Sequence, residues 1–225
     1  LLDGWELLGQ SFSDGAVLDL PGMGAHPCRP DVFVEIDWTA AKPPFPEAMQ
    51  TLSNVFYDHG IGLHIDTGQW GGGNQVPDYS TCSGGAAGHE PPPGFPTLLS
   101  TKVDHFDPHR LWAFHYGVLR ERGFYPNDDP IRSYACGGSN MLLAVGYTIN
   151  SQVVELGHEL GHGLGLGHGG GVGNRVQGRY GDMIYYYGLS AASGGNRKPN
   201  YHSAMNYTYY GVAFWNPSTN SRVFL

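Results

Sequence analysis

Apolar and polar positions alternate from Asp31 to Trp38, with Val32, Val34, Ile36 and Trp38 set against Phe33, Glu35 and Asp37. A period of two predicts a β-strand with one largely apolar face. After a stiff connection at Pro43, Pro44 and Pro46 the period lengthens. Met49, Leu52, Val55 and Phe56 recur at helical spacing across Glu47 to His59, and Gly60 follows where such a helix would end. Gly62 to Asp66 reads as a second strand, and strand, long helix, strand is the crossover that lays two strands parallel in one sheet. Further strands are predicted at Phe114 to Leu119 and at Asn140 to Ile149, the latter holding the longest apolar run, Met141 to Val145. Val153, Leu156, Leu160 and Leu164 then return to helical spacing, so a second long helix should bury that stripe against the sheet.

Between these elements the pattern is weak. From Gly68 to Pro96 the chain is rich in glycine and proline, which predicts a long surface excursion. Asp107-Pro108 combines an N-cap with proline at the first helical position, the opening of a short helical turn. After His168 the periodicity fades: Gly169 to Gly173 is nearly all glycine, Tyr185 to Tyr187 is a tyrosine run, and Gly194 to Pro199 is turn-forming. An irregular region is expected there. The 225 residues show no internal repeat, and one domain, 1–225, is the economical reading.

Charged residues make up only 14% of the chain and glycine fills 35 positions, the balance of a loop-rich extracellular protein. A net charge of -8 argues against nucleic acid or an anionic membrane surface as a partner, since both select for basic patches. No apolar run nears the roughly 20 residues a membrane-spanning helix needs. The chain opens on Leu1 without an initiator methionine or a leader, as expected of a processed or trimmed piece of a secreted protein. Three cysteines, Cys28, Cys82 and Cys136, cannot all pair with one another; one disulfide and one remaining thiol are expected, with the pairing open. Asp3 and Glu6, three apart, match the last acidic positions of a calcium loop whose first half would lie upstream, so structural Ca2+ is a possible further ion.

The chemistry concentrates in His158 to His168, H-E-L-G-H-G-L-G-L-G-H. On a helix His158 and His162 leave one face about 6 Å apart along the axis, close enough to share a metal. His168 would lie about 9 Å further along a continued helix, out of reach of Zn–N bonds of about 2.0–2.1 Å. The helix must therefore stop, and Gly165 is placed to stop it because glycine enters the left-handed conformation at little steric cost. Glu159 points away from the ligand face and is suited to take a proton from water beside the metal. Three protein ligands and one open position mark a catalytic zinc site. Gly157, Gly161 and Gly163 each cost about 1 kcal/mol of helix propensity, so packing must hold this helix. His105 and His109 are also four apart, but loop and helix-start chemistry accounts for them without a second metal.

The pattern H-E-x-x-H-x-x-G-x-x-H, followed by Ser203-Ala204-Met205-Asn206-Tyr207, resembles the metzincin clan of zinc endopeptidases with its methionine turn. Gly169 matches none of the residues that follow the third histidine in astacins, serralysins, matrixins or adamalysins, so the resemblance is to the clan. It implies an α+β fold in two lobes: an upper lobe, about 1–168, with a mixed, mainly parallel twisted sheet and two long helices, and a small irregular lower lobe, about 169–225. It implies Zn2+ on His158, His162 and His168, Met205 as an apolar base beneath them, and Tyr207 as a fifth ligand or a donor to the reacting oxyanion. Gly138 to Val145 would be the edge that pairs with substrate backbone, and the tyrosine run would wall the pocket beyond the cleaved bond. The expected partner is a protein or peptide substrate of a monomeric enzyme. Two rivals are a non-catalytic adhesion or glycan-binding module, which intact Glu159 argues against, and another H-E-x-x-H hydrolase, which His168 and Met205 argue against.

Overall fold

The computed structural model describes residues 1–40, 42–77, 97–121, 133–135, 140–145, 148–166, 175–180, 183–188, 205, 213–216 and 221–224. The N-terminal residues form a short helix, α1 (Asp3–Leu8), and a two-stranded ribbon of β1 (Gln10–Ser11) and β2 (Val17–Leu18). The alternating segment forms β3 (Asp31–Trp38) and the helical stripe forms α2 (Pro46–Asp58), with Pro46 at its first turn and Gly60 beyond its end at φ 78°. Next come β4 (Gly62–Asp66), α3 (Leu98–His105), a 3-10 turn (Pro108–Arg110) and β5 (Phe114–Glu121). Asp107 caps the 3-10 turn by accepting from the His109 amide. The central elements end with β6 (Tyr134–Ala135), β7 (Asn140–Val145) and α4 (Ile149–Gly163). These strands form one five-stranded sheet in the order β4-β3-β5-β7-β6, parallel except for β6. Among the described residues, four α-helices and a four-strand parallel core make a mixed α and β fold. None of the described helices is long and apolar enough to cross a membrane.

Both faces of the sheet are covered. On one, Val34, Ile36, Leu119, Met141 and Leu143 pack with Met49 and Leu52 of α2 and with Val153, Leu156 and Leu160 of α4. On the other, Phe33, Phe114, Tyr116 and Val118 meet Leu18, Leu20, Leu98 and Phe106 from the ribbon and α3. Alternation would leave Glu35 and Asp37 to solvent, yet they lie on this second face and are fully buried. Partners make that tolerable. Arg110 Nη1 donates to Glu35 Oε2 at 2.6 Å and to Asp66 Oδ2 at 2.7 Å, while Tyr116 donates to Asp37 at 2.7 Å. Asp66 also accepts from the amides of Gly68, Trp70 and Gly72, folding the chain after β4 into a tight loop. The excursion predicted to begin at Gly68 is thus pinned to the sheet at its start, whereas residues 78–96 lie outside the described residues.

Three expectations need correction. The strand predicted to run from Asn140 to Ile149 ends at Val145, because Thr148 caps α4 by accepting from the Ser151 amide at 3.1 Å and Ile149 is already helical. Asn140–Val145 is also not the rim along its whole length: β5 pairs along it on one side and β6 covers Met141 and Leu142 on the other. Among the described strands β6 is thus the outermost on this side of the sheet, as β4 is on the other. Finally, the region after His168 is not uniformly irregular. Tyr185 to Tyr187 lie in β9 (Met183–Gly188), which pairs antiparallel with β8 (Arg175–Tyr180), and β10 (Ala213–Asn216) pairs with β11 (Ser221–Phe224). Cross-strand pairing stabilises these short hairpins where no helical or alternating apolar stripe advertises them.

Candidate metal centre

Packing holds α4 where local propensity alone would not. Val153, Leu156 and Leu160 are at most 3% exposed, whereas Leu164, the C-cap residue, is 40% exposed because the chain has already left the helix. Gln152 is fully buried and bonds two groups at the entry to α2: its side-chain oxygen accepts from the Phe45 amide at 2.7 Å and its amide donates to the Pro43 carbonyl at 3.0 Å. The helix glycines have a steric role as well. A Cβ on Gly157 would lie 3.2 Å from Leu52 of α2, and one on Gly161 only 2.4 Å from Met205 Sδ. Met205 is 2% exposed, so the methionine occupies space that only a glycine leaves.

The helix ends at Gly165, whose φ is 91°. The Gly165 amide donates to the His162 carbonyl and the Leu166 amide to the Gly161 carbonyl, each at 2.9 Å, the paired bonds of a Schellman motif. That turn brings the Leu166 carbonyl back onto the helix, where His162 Nδ1 meets it at 2.9 Å. A carbonyl only accepts, so Nδ1 carries the proton and a neutral ring presents a bare Nε2 lone pair. Burial holds His162 below the ordinary imidazole range, opposed by the Leu166 carbonyl, and so favours that neutral form.

His162 Nε2 lies 3.1 Å from His158 Nε2, with the two rings nearly perpendicular at 87°. Two Zn–N bonds of about 2.0–2.1 Å at a tetrahedral angle place their nitrogens about 3.3 Å apart, so the pair is spaced for one ion. The fixed tautomer and the backbone acceptor on the far nitrogen are the usual support of a metal-binding imidazole. Glu159, 5% exposed, shares this buried stretch of helix with His158, which is 2% exposed. His168 and Tyr207 lie outside the described residues, as do Cys82 and Cys136; Cys28 is an exposed free thiol. Among the described residues no three His, Cys, Asp or Glu side chains gather into a cation cage.

Elsewhere the other candidate groups have ordinary occupations. His109 bonds Asp107 and Asp14 through its two nitrogens, both at 2.8 Å, tying the 3-10 turn to the N-terminal ribbon. Asp3 and Glu6 lie in α1, with Glu6 buried. Sequence reasoning passed over three residues that frame the site. Gln152 is one; the others are Glu155, 2% exposed on α4, and Ser133, whose hydroxyl donates to Glu155 Oε2. A polar residue within the helical stripe was the available signal. Comparison with protein-family models, with curated proteins and with solved structures finds no match to this chain.

Proposed function

We propose that the protein is a secreted zinc-dependent endopeptidase of the metzincin type. The observation that carries this reading is the 3.1 Å approach of the His158 and His162 Nε2 atoms, with Glu159 next to the first of them on the same helix. The helix-ending turn at Gly165 and the buried Met205 beside Gly161, next to His162, support it, since the resemblance implies a helix that stops there and a methionine beneath the imidazoles.

In this reading His158, His162 and His168 hold the zinc, and Tyr207 is a fifth ligand or an oxyanion donor. When bound, zinc supplies Lewis-acid chemistry, polarising a carbonyl and making water acidic enough to lose a proton near neutral pH. The remaining work falls to the chain. A carboxylate oxygen of Glu159 accepts a proton from water, the water oxygen attacks the scissile carbonyl carbon, and Glu159 returns the proton to the leaving amine nitrogen as the C–N bond breaks. The Leu166 carbonyl keeps the His162 tautomer that ligation requires. An extended peptide lies along the β6 rim, paired through its backbone.

The test is Glu159→Ala. Zinc content should stay at the wild-type level while hydrolysis of a denatured protein falls by several orders of magnitude. An active variant would refute the mechanism. Product analysis by mass spectrometry should show cleavage inside long chains, and stepwise loss of terminal residues would indicate an exopeptidase instead.

A further inference from the structure

We propose that Glu155 is a positioning residue whose carboxylate latches the rim strand β6 to the helix bearing His158, Glu159 and His162, and so sets where a bound peptide lies relative to Glu159. The inference rests on the peptidase reading above.

Glu155 stands three residues before His158 and four before Glu159, on the same side of α4. It is 2% exposed, an unfavourable place for an acid unless a hydrogen bond demands it, and its near neighbours Val153, Val154 and Leu156 show that apolar side chains suit this stretch. The Ser133 hydroxyl donates to Glu155 Oε2, and Ser133 directly precedes β6. That strand needs a tether. Among the described residues it has two, Tyr134 registered with Leu142 and Ala135 with Met141, and a two-residue antiparallel ladder contributes little to keep the strand in place. Packing of α4 on β6 brings the two together. A hydrogen bond to a carboxylate is among the stronger ones available, so a single contact can hold the strand's start against the helix. A peptide adding to that rim would take its register from β6, and β6 takes its own from Glu155.

Two substrates separate this role from simple stability: a peptide long enough to lie along β6, and one too short to reach it. Ser133→Ala should raise KM for the long peptide about five- to tenfold, with kcat changed by less than about twofold. The short substrate and the zinc content should be unaffected. Ser133→Thr, which keeps a hydroxyl, and Glu155→Gln, which keeps an acceptor oxygen, should restore most of the long-peptide KM, while Glu155→Ala should behave as Ser133→Ala. Should Glu155→Ala not fold, the Ser133 variants carry the test. Unchanged KM, or equal losses on both substrates together with loss of zinc, would overturn the proposal. A wild-type protein that binds no zinc and cleaves neither substrate would instead overturn the peptidase reading, and the latch with it.

Discussion

Replacing Gly161 by alanine should gain about 1 kcal/mol of helix propensity, yet a Cβ there would lie 2.4 Å from Met205 Sδ. Overpacking of a buried methionine typically costs about 1–3 kcal/mol, so the steric term should win and Gly161→Ala should destabilise by about 1 kcal/mol. In a Met205→Ala background the same substitution should stabilise by about 1 kcal/mol, the propensity then acting alone. A double-mutant cycle by denaturant unfolding checks this, and the same sign in both backgrounds would remove the contact from the explanation. His162 is a second residue-scale case. His162→Ala should lower zinc content in metal analysis, and unchanged stoichiometry would take it out of the site. At this scale the spacing of His158, Glu159 and His162 was legible because four residues along a helix fix a common face. Met205's position against Gly161 was not, because nothing in local spacing relates residues 44 apart in the chain.

The decisive element is α4, and its end matters as much as its face. Nothing lies within 4 Å of a Cβ at Gly165, so Gly165→Ala meets no steric clash and its cost is that of the left-handed backbone alone, about 1–2 kcal/mol. Thermal unfolding should show that loss, and Gly165→Asn should lose less because asparagine tolerates this conformation better. Equal losses would point away from the backbone. Strand and helix centres followed the apolar period closely at β3, α2, β4 and α4. Boundaries followed capping chemistry instead. Thr148 starts α4 where the apolar run alone would have carried a strand on to Ile149, because a side-chain oxygen satisfies an amide that a strand would have used differently.

For the whole molecule, the layer of charges beneath the sheet sets a pH response. Burial pushes Glu35 from an ordinary 4.5 up to about 7, although Arg110 pulls it down, and Asp37 is raised by burial too. A carboxyl whose folded pKa lies above its unfolded value contributes stability that is complete below about 4.5 and lost as pH rises through about 7. The Glu35 contribution should therefore fall across that window, against an opposite contribution from His115, which burial pushes from 6.5 down to about 4. Glu35→Gln, which has no such proton to lose and keeps an oxygen for Arg110, should gain stability relative to the wild type as pH rises from about 4.5 to about 7, read by denaturant titrations at stepped pH. Parallel profiles would assign the slope to other groups. The sequence by itself determined the parallel crossover, the apolar face of α4 and a metal-spaced histidine pair, because each is written in periods of two or four residues that local geometry converts directly into a face. Only the tertiary structure decided that β6 is the rim, that Glu35 and Asp37 are buried, and that Gln152 bonds Pro43 and Phe45 more than a hundred residues away. Those outcomes depend on which distant segments cover a strand or supply a hydrogen-bond partner, and long-range packing, not local periodicity, makes that choice.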